Sequence, residues 1–323
     1  MEYQTLRGTG ATVSRLSLGT MTFGDQVDEP TALRMVATAL DAGINCVDTA
    51  DVYARGRSEE ILGRVLKGRR QRVVLASKVG NLMGEDAHRD QGLHRWHVLA
   101  AVEDTLRRLQ TDRLDIYYMH KPDPHTPIEE TLAAFDLLVR QGKVLYVGMS
   151  NYASWQVCEA LWRASVGAHA RPAVMQLPYN LITRSIDAEC VAFARQMRLG
   201  LTVYNPLAGG LLTGKYALDE QPPKDTRLGR SEMYHGRYWS EVNREAVRAL
   251  GRIAAAAGKS MLELALQWLL AQPHVDSIIL GVSSLAQLEQ NLAAVRGRLD
   301  DGTLAACDQV WQRIRGPHFQ YNR

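Results

Sequence analysis

Eight short apolar runs punctuate the chain, and helical patterns fill the intervals between them. The runs are Leu16–Leu18, Ile44–Asp48, Val73–Lys78, Leu114–His120, Val144–Met149, Val174–Leu177, Leu201–Tyr204 and Ser277–Leu280. Between them, apolar residues recur at helical spacing in Thr31–Ala42, Ser58–Leu66, Val98–Leu109, Thr131–Gln141 and Ser154–Ala164. Leu250–Ala257 and Met261–Ala271 precede the last run, and Asp301–Arg315 follows it. Short buried strands alternating with helices argue for parallel strand–helix–strand units, because parallel neighbours need a crossover. Eight such units predict an α/β fold, the (β/α)8 TIM barrel. The rival is an open doubly wound sheet, which carries GxGxxG after an early strand. No early run here is followed by that fingerprint. Helix ends agree with the barrel reading: Gly43 and Gly142 stand where a helix C-terminus wants a left-handed residue.

The expected organisation is one domain over 1–323, with an extra C-terminal helix. A long connection, Leu207–Trp239, follows the seventh strand and carries Gly209, Gly210, Gly214, Gly229 and Gly236. In a barrel it belongs to the C-terminal face, where active sites sit. A formal net charge of +3 is too small to suggest a nucleic-acid partner. Cys46, Cys158, Cys190 and Cys307 form no CxxC pair, so neither a metal site nor a disulfide framework is expected. No apolar run approaches the roughly 18 residues of a membrane span. The expectation is a soluble, cytoplasmic protein without a membrane partner.

Chemistry gathers at the strand ends. Asp48, Lys78 and His120 each close an apolar run, and Tyr53 follows the first of them in DTADVY. In a parallel barrel these ends share one rim, so position alone predicts that the four converge. A phenol is a poor acid at neutral pH, but a neighbouring ammonium favours its anion. A buried ammonium in turn needs a counter-charge. Lys78 and Asp48 can supply the two, while His120 can orient a carbonyl oxygen. Singly, each residue has an ordinary structural explanation, such as helix capping by an Asp. Their joint occurrence at equivalent ends of the second, third and fourth strands is what points to a catalytic set.

The motifs DTADVY, LASK, YYMHKPD and VGMSNY resemble the signature of the aldo-keto reductase superfamily. GTMTFG, EEILG, YNLITR, YNPLAGGLLTGKY, MYHGRYW, GVSSLAQLEQNLAA and YNR look closer still to its aflatoxin-aldehyde and succinic-semialdehyde reductases. The resemblance implies NADP(H) lying across the C-terminal rim and a small-molecule carbonyl substrate. It implies Tyr53 as general acid, Asp48 and Lys78 as its tuning pair, and His120 near the substrate oxygen.

The expected cofactor set follows the rim. Tyr204 offers a ring for the nicotinamide; Ser150, Asn151 and Gln176 offer hydrogen bonds to its carboxamide. Thr20, Met21 and Asp48 belong to the same set. Asn205, Pro206, Leu207, Gly209 and Lys215 form the Gly-rich segment that the resemblance folds over the pyrophosphate. Gly281, Ser283, Gln287, Gln290 and Asn291, at the start of a helix, are assigned to the adenosine phosphate. The run SSLAQ departs from the superfamily pattern, in which many members place a basic residue near Ser283. Arg227 or Arg230 is a candidate replacement for that charge.

For substrate, the expected contacts are Met21, Tyr53, His120, Arg237 and Arg323, the arginines suiting a carboxylated or dicarbonyl aldehyde. Phe23, Trp96, Tyr234, Tyr238 and Trp239 are further candidates for pocket walls. Two other functions stand beside the reductase. One is an NADP(H)-binding regulatory subunit like the channel β subunits of the superfamily. The other is a lyase using Lys78 as a Schiff base, against which Asp48 as ion-pair partner argues. A homo-oligomer is compatible with the resemblance.

Overall fold

A computed structural model describes residues 1–315 of the 323. The described chain groups into two compact units. The first comprises Met1–Leu177, Asp187–Tyr204 and His274–Glu289; the second comprises Pro178–Ile186, Asn205–Pro273 and residues 290–315.

The first unit opens with an antiparallel hairpin, β1 (Tyr3–Thr5) and β2 (Thr12–Ser14). The chain then alternates through β3 (Leu16–Gly19), α1 (Glu29–Asp41), β4 (Cys46–Asp48), α2 (Arg57–Val65), β5 (Val74–Val79), α3 (Arg95–Leu109), β6 (Leu114–Met119), α4 (Ile128–Arg140), β7 (Val144–Ser150), α5 (Ser154–Val166), β8 (Pro172–Pro178), α6 (Cys190–Gln196), β9 (Gly200–Tyr204) and β10 (Ser277–Gly281). Strands β3 to β10 form one closed barrel, with β10 beside β3, and every pairing with a recorded register is parallel. The fold is therefore the (β/α)8 TIM barrel that the alternation predicts.

Local physics explains the elements. In α1, the Asp28 side chain accepts from Thr31 N–H as an N-cap, and Pro30 sits in the first turn. Ala32, Met35, Val36, Ala39 and Leu40 recur at three- and four-residue steps and are buried. Burial of a Met or Val side chain contributes about 1.5–3 kcal/mol. Within the barrel, Gly148 on β7 pairs with Tyr118 on β6, and a Cβ there would lie 2.2 Å from the tyrosine ring. The missing side chain is what lets Tyr118, 1% exposed, fill the interior.

The hairpin was not expected from the sequence. Its Leu6 and Val13 pack into a cluster with Ala76, Ile116, Tyr118, Ala173 and Val174. Gln4 donates to the Asp276 carboxylate at 2.9 Å, and the other Asp276 oxygen accepts from Leu201 N–H at 2.7 Å. Asp276 and Leu201 lie at the starts of the last two strands, so the hairpin closes the N-terminal mouth and leaves the other rim for chemistry.

In the second unit, the segment expected as a long loop contains short helices. A 3-10 turn spans Ala208–Thr213, followed by α7 (Arg227–Arg230) and α8 (Glu232–Tyr238). Thr226 and Ser231 cap the two helices through their hydroxyls, a local signal that the glycine count obscured. Next come α9 (Glu241–Ala256), α10 (Met261–Leu270), α11 (Leu285–Ala294), which begins in the first unit, and α12 (Asp301–Arg315), packed on α9. No helix among the described residues is long and apolar enough to cross a membrane.

Candidate active site

Three consecutive strand ends of the first unit bring four side chains together. Asp48 ends β4, Lys78 is the next-to-last residue of β5, and His120 directly follows β6. Tyr53 opens a tight turn just beyond β4. Lys78 Nζ donates to Asp48 Oδ1 at 2.5 Å, to the Thr49 carbonyl at 2.7 Å and to the Tyr53 hydroxyl at 3.3 Å. The same nitrogen lies 4.9 Å from the centre of the Tyr53 ring. The Tyr53 and His120 rings meet edge to face at 6.1 Å.

Electrostatics follows from burial and neighbours. Burial pushes the Lys78 ammonium toward neutrality, but the Asp48 carboxylate and Tyr53 outweigh it, so its pKa is raised. Lys78 therefore stays charged. His120 is driven the other way, to about 3, by burial and by the nearby charges of Lys78 and Lys121. It is a neutral imidazole at ordinary pH. Its Nδ1 lies 2.9 Å from the Asn81 amide nitrogen. An amide N–H can only donate, so Nδ1 accepts and the ring proton sits on Nε2. Asn81 and Thr49 also bond to the tetrad, and the sequence does not single them out. Neither residue type announces itself, and Asn81 is 39 positions from its partner.

Polar side chains continue around the rim. The Gln176 amide donates to Asp48 Oδ2 at 2.8 Å, and Ser150 Oγ donates to the Gln176 carbonyl at 3.1 Å. Asn151 adopts φ +66, donates to the His120 carbonyl at 2.8 Å, and accepts from the Tyr204 hydroxyl at 2.7 Å. This row of amides, hydroxyls and one aromatic ring has the donor and acceptor set that a nicotinamide carboxamide and ring require. Thr20 is buried and donates to the Asp48 carbonyl, whereas Met21 is 42% exposed. Gly281 ends β10 and is exposed; Ser283 gives both its N–H and its hydroxyl to Gln287 Oε1, at 2.9 and 3.2 Å.

The second unit holds most of the remaining expected residues. Asn205, at φ +63, accepts from Gly209 N–H and donates to the Tyr238 hydroxyl, which pins the Gly-rich turn. Pro206 and Gly209 are buried, Leu207 is half-buried, and Lys215 is exposed over the Tyr216 ring. Gln290 is exposed and Asn291 is buried on α11. Arg227 donates to the Tyr234 hydroxyl at 2.8 Å, and the exposed Arg237 lies 5.9 Å from that ring's centre. Of the candidate wall aromatics, Phe23, Tyr234, Tyr238 and Trp239 are buried, while Trp96 is exposed at the start of α3. Arg323 lies outside the described residues.

The rim of this parallel barrel joins a phenol to a charged, counter-ioned amine beside a neutral imidazole, the groups that proton transfer to a carbonyl oxygen would call on. The chain belongs to the aldo/keto reductase family, whose model matches residues 15–312. It is 38% identical to the human protein named aldo-keto reductase family 7 member A3, over 97% of either chain. It is also 38% identical to human aflatoxin B1 aldehyde reductase member 2, over 92% of this chain and 86% of the relative. A rice (Oryza sativa subsp. japonica) protein named probable voltage-gated potassium channel subunit beta is 35% identical over 91% of each. Family and aldehyde-reductase relatives together support an oxidoreductase using a nicotinamide cofactor, as the family generally does, on a small-molecule carbonyl.

Proposed function

We propose that this protein reduces aldehydes or ketones to alcohols with NADPH, with Tyr53 as the general acid. The observation that carries this reading is a single ammonium, Lys78 Nζ, bonded at once to Asp48 at 2.5 Å and to the Tyr53 hydroxyl at 3.3 Å. When bound, reduced nicotinamide supplies the hydride. Tyr53 gives its proton to the carbonyl oxygen, and the Lys78 ammonium stabilises the phenolate left behind. Asp48 holds that ammonium charged and oriented. His120, uncharged and with its proton on Nε2, donates a hydrogen bond to the substrate oxygen without competing as an acid. Ser150, Asn151 and Gln176 orient the carboxamide, and Tyr204 offers its ring.

The preference for NADP over NAD, and a carboxylated or dicarbonyl aldehyde as substrate with Arg237 and Arg323 as carboxylate partners, belong to the same proposal. Their support is residue type and family resemblance. The test of the acid is Tyr53→Phe. We expect kcat to fall about 10²- to 10⁴-fold, the usual contribution of a positioned acid, while NADPH binding by fluorescence titration is retained. Turnover at the wild-type rate in this variant would remove Tyr53 from the role.

The rice relative favours a second reading, a nicotinamide-binding regulatory subunit. Steady-state NADPH oxidation with a panel of aldehydes separates the two. Tight NADPH binding without turnover of any aldehyde supports the regulatory reading.

A further inference from the structure

The turn that carries Tyr53 is made of backbone that side-chain-bearing residues avoid. Ala54, Arg55 and Gly56 follow the tyrosine with φ of +47, +53 and +91. Such a run persists only where its surroundings over-determine it. One of those surroundings is Arg108 on α3. A Cβ on Gly56 would lie 2.9 Å from Arg108 Cδ and 3.1 Å from its Nε, so the arginine stem is seated directly against this turn.

Arg108 is fixed in turn by an acid that the tetrad does not use. Its Nε donates to Glu59 Oε2 at 2.7 Å. Glu59 lies in the first turn of α2 and is 0% exposed. Its other oxygen accepts from Ser77 Oγ at 2.5 Å. Ser77 is the residue before Lys78 on β5. Thr105 Oγ1, also on α3, bonds Glu59 Oε2 at 3.4 Å. One buried carboxylate thus grips the strand that presents the ammonium and, through Arg108, the turn that presents the phenol. Burial raises the Glu59 pKa, and the Arg108 charge is the largest influence opposing that rise.

We propose that Glu59 and Arg108 are positioning residues, whose buried ion pair sets the separation between the Tyr53 hydroxyl and the Lys78 ammonium. The inference rests on the reading of Tyr53 as general acid. Holding two groups on separate segments to within tenths of an ångström requires a rigid cross-brace, and displacements of about 1 Å can cost 10²-fold in rate. The titratable groups around the brace and the acid are Asp48, Asp51, Lys78, Tyr117 and His120.

The test uses the full-length protein in Arg108→Met, Arg108→Lys and Glu59→Gln forms, each with kcat, KM, NADPH Kd and the pH profile of kcat. Arg108→Met keeps the stem and removes the charge. It is expected to lower kcat roughly 10- to 100-fold, to leave KM and Kd within about 2-fold by the same reasoning, and to displace the pH limb of the acid. Arg108→Lys restores most of kcat and the profile. Glu59→Gln keeps the side-chain shape and gives a smaller loss in the same direction, which decides the matter if Arg108→Met does not fold. An unchanged kcat and pH profile in Glu59→Gln and Arg108→Lys alongside a folded, fully active Arg108→Met overturns the proposal. So does a loss that falls equally on KM and NADPH Kd with the profile unmoved. Tyr53→Phe, run in parallel, reports separately on the acid: if that variant turns over normally, the underlying reading fails whatever the brace variants do.

Discussion

Lys78 is 1% exposed, and an ammonium so buried is tolerable only because its donors are matched. Asp48, the Thr49 carbonyl and the Tyr53 hydroxyl accept from it. Lys78→Met should therefore do two things. It removes the charge that would stabilise a Tyr53 phenolate under the proposed mechanism, so kcat should fall by orders of magnitude, and it leaves Asp48 buried without its cation. Breaking a buried pair from one side costs about 3–5 kcal/mol, which a denaturant midpoint measures directly. A variant with wild-type stability would mean that Asp48 is relieved by other donors, the Gln176 amide at 2.8 Å being the first to examine. At this scale the sequence was informative about residue types with strong chemistry and silent about those without. Asp48, Tyr53, Lys78 and His120 are conspicuous at strand ends. Asn81 is not, because an asparagine in a loop has many local uses and its partner is remote in the chain.

The strands and helices were readable because their signal is local. A buried parallel strand is apolar on both faces and a flanking helix repeats its apolar residues every three or four positions, so a window of about ten residues carries both. The hairpin β1–β2 escaped that window. Its strands have three residues each, mostly polar, and its stability comes from Gln4 meeting Asp276 and from Leu6 and Val13 meeting the barrel interior. The segment after β9 reads as a loop in sequence for a related reason: helices of four and seven residues are too short to show a period. A prediction at this scale concerns β7. Gly148→Ala adds a methyl group 2.2 Å from the Tyr118 ring, with strand backbone on one side and a packed core on the other. Overpacking of this kind costs about 1–3 kcal/mol. The thermal midpoint should fall, and Tyr118→Leu in the same chain should return part of the loss. Equal midpoints for Gly148→Ala and wild type would show that Tyr118 has room to move.

For the molecule as a whole, acid stability tests the buried histidine. The His120 pKa in the folded state is about 3, below the ordinary value near 6.5 of an unfolded chain. As pH falls through 6.5 the unfolded state takes up this proton and the folded state does not, so stability is lost from about pH 6.5 down to about 3, at roughly 1.4 kcal/mol per pH unit. His97, also lowered by burial, adds in the same direction. Asp51 and Glu59 act oppositely, since burial raises their pKa and the folded state accepts their protons first. His120→Gln should therefore lose less stability than wild type between pH 6.5 and 4 in urea titrations; parallel curves would refute a neutral, buried His120. What the sequence by itself determined was the alternation, the parallel barrel it requires, and which residue types stand at which strand ends. What only the tertiary structure decided was distance: which oxygen meets Lys78 Nζ, that Asn81 fixes the proton on His120, and that Glu59 links α3 to β5. Hydrophobic period is written within a few neighbouring residues, whereas a hydrogen bond between groups 18 to 49 positions apart exists only once the barrel has closed and the core has set the last ångström.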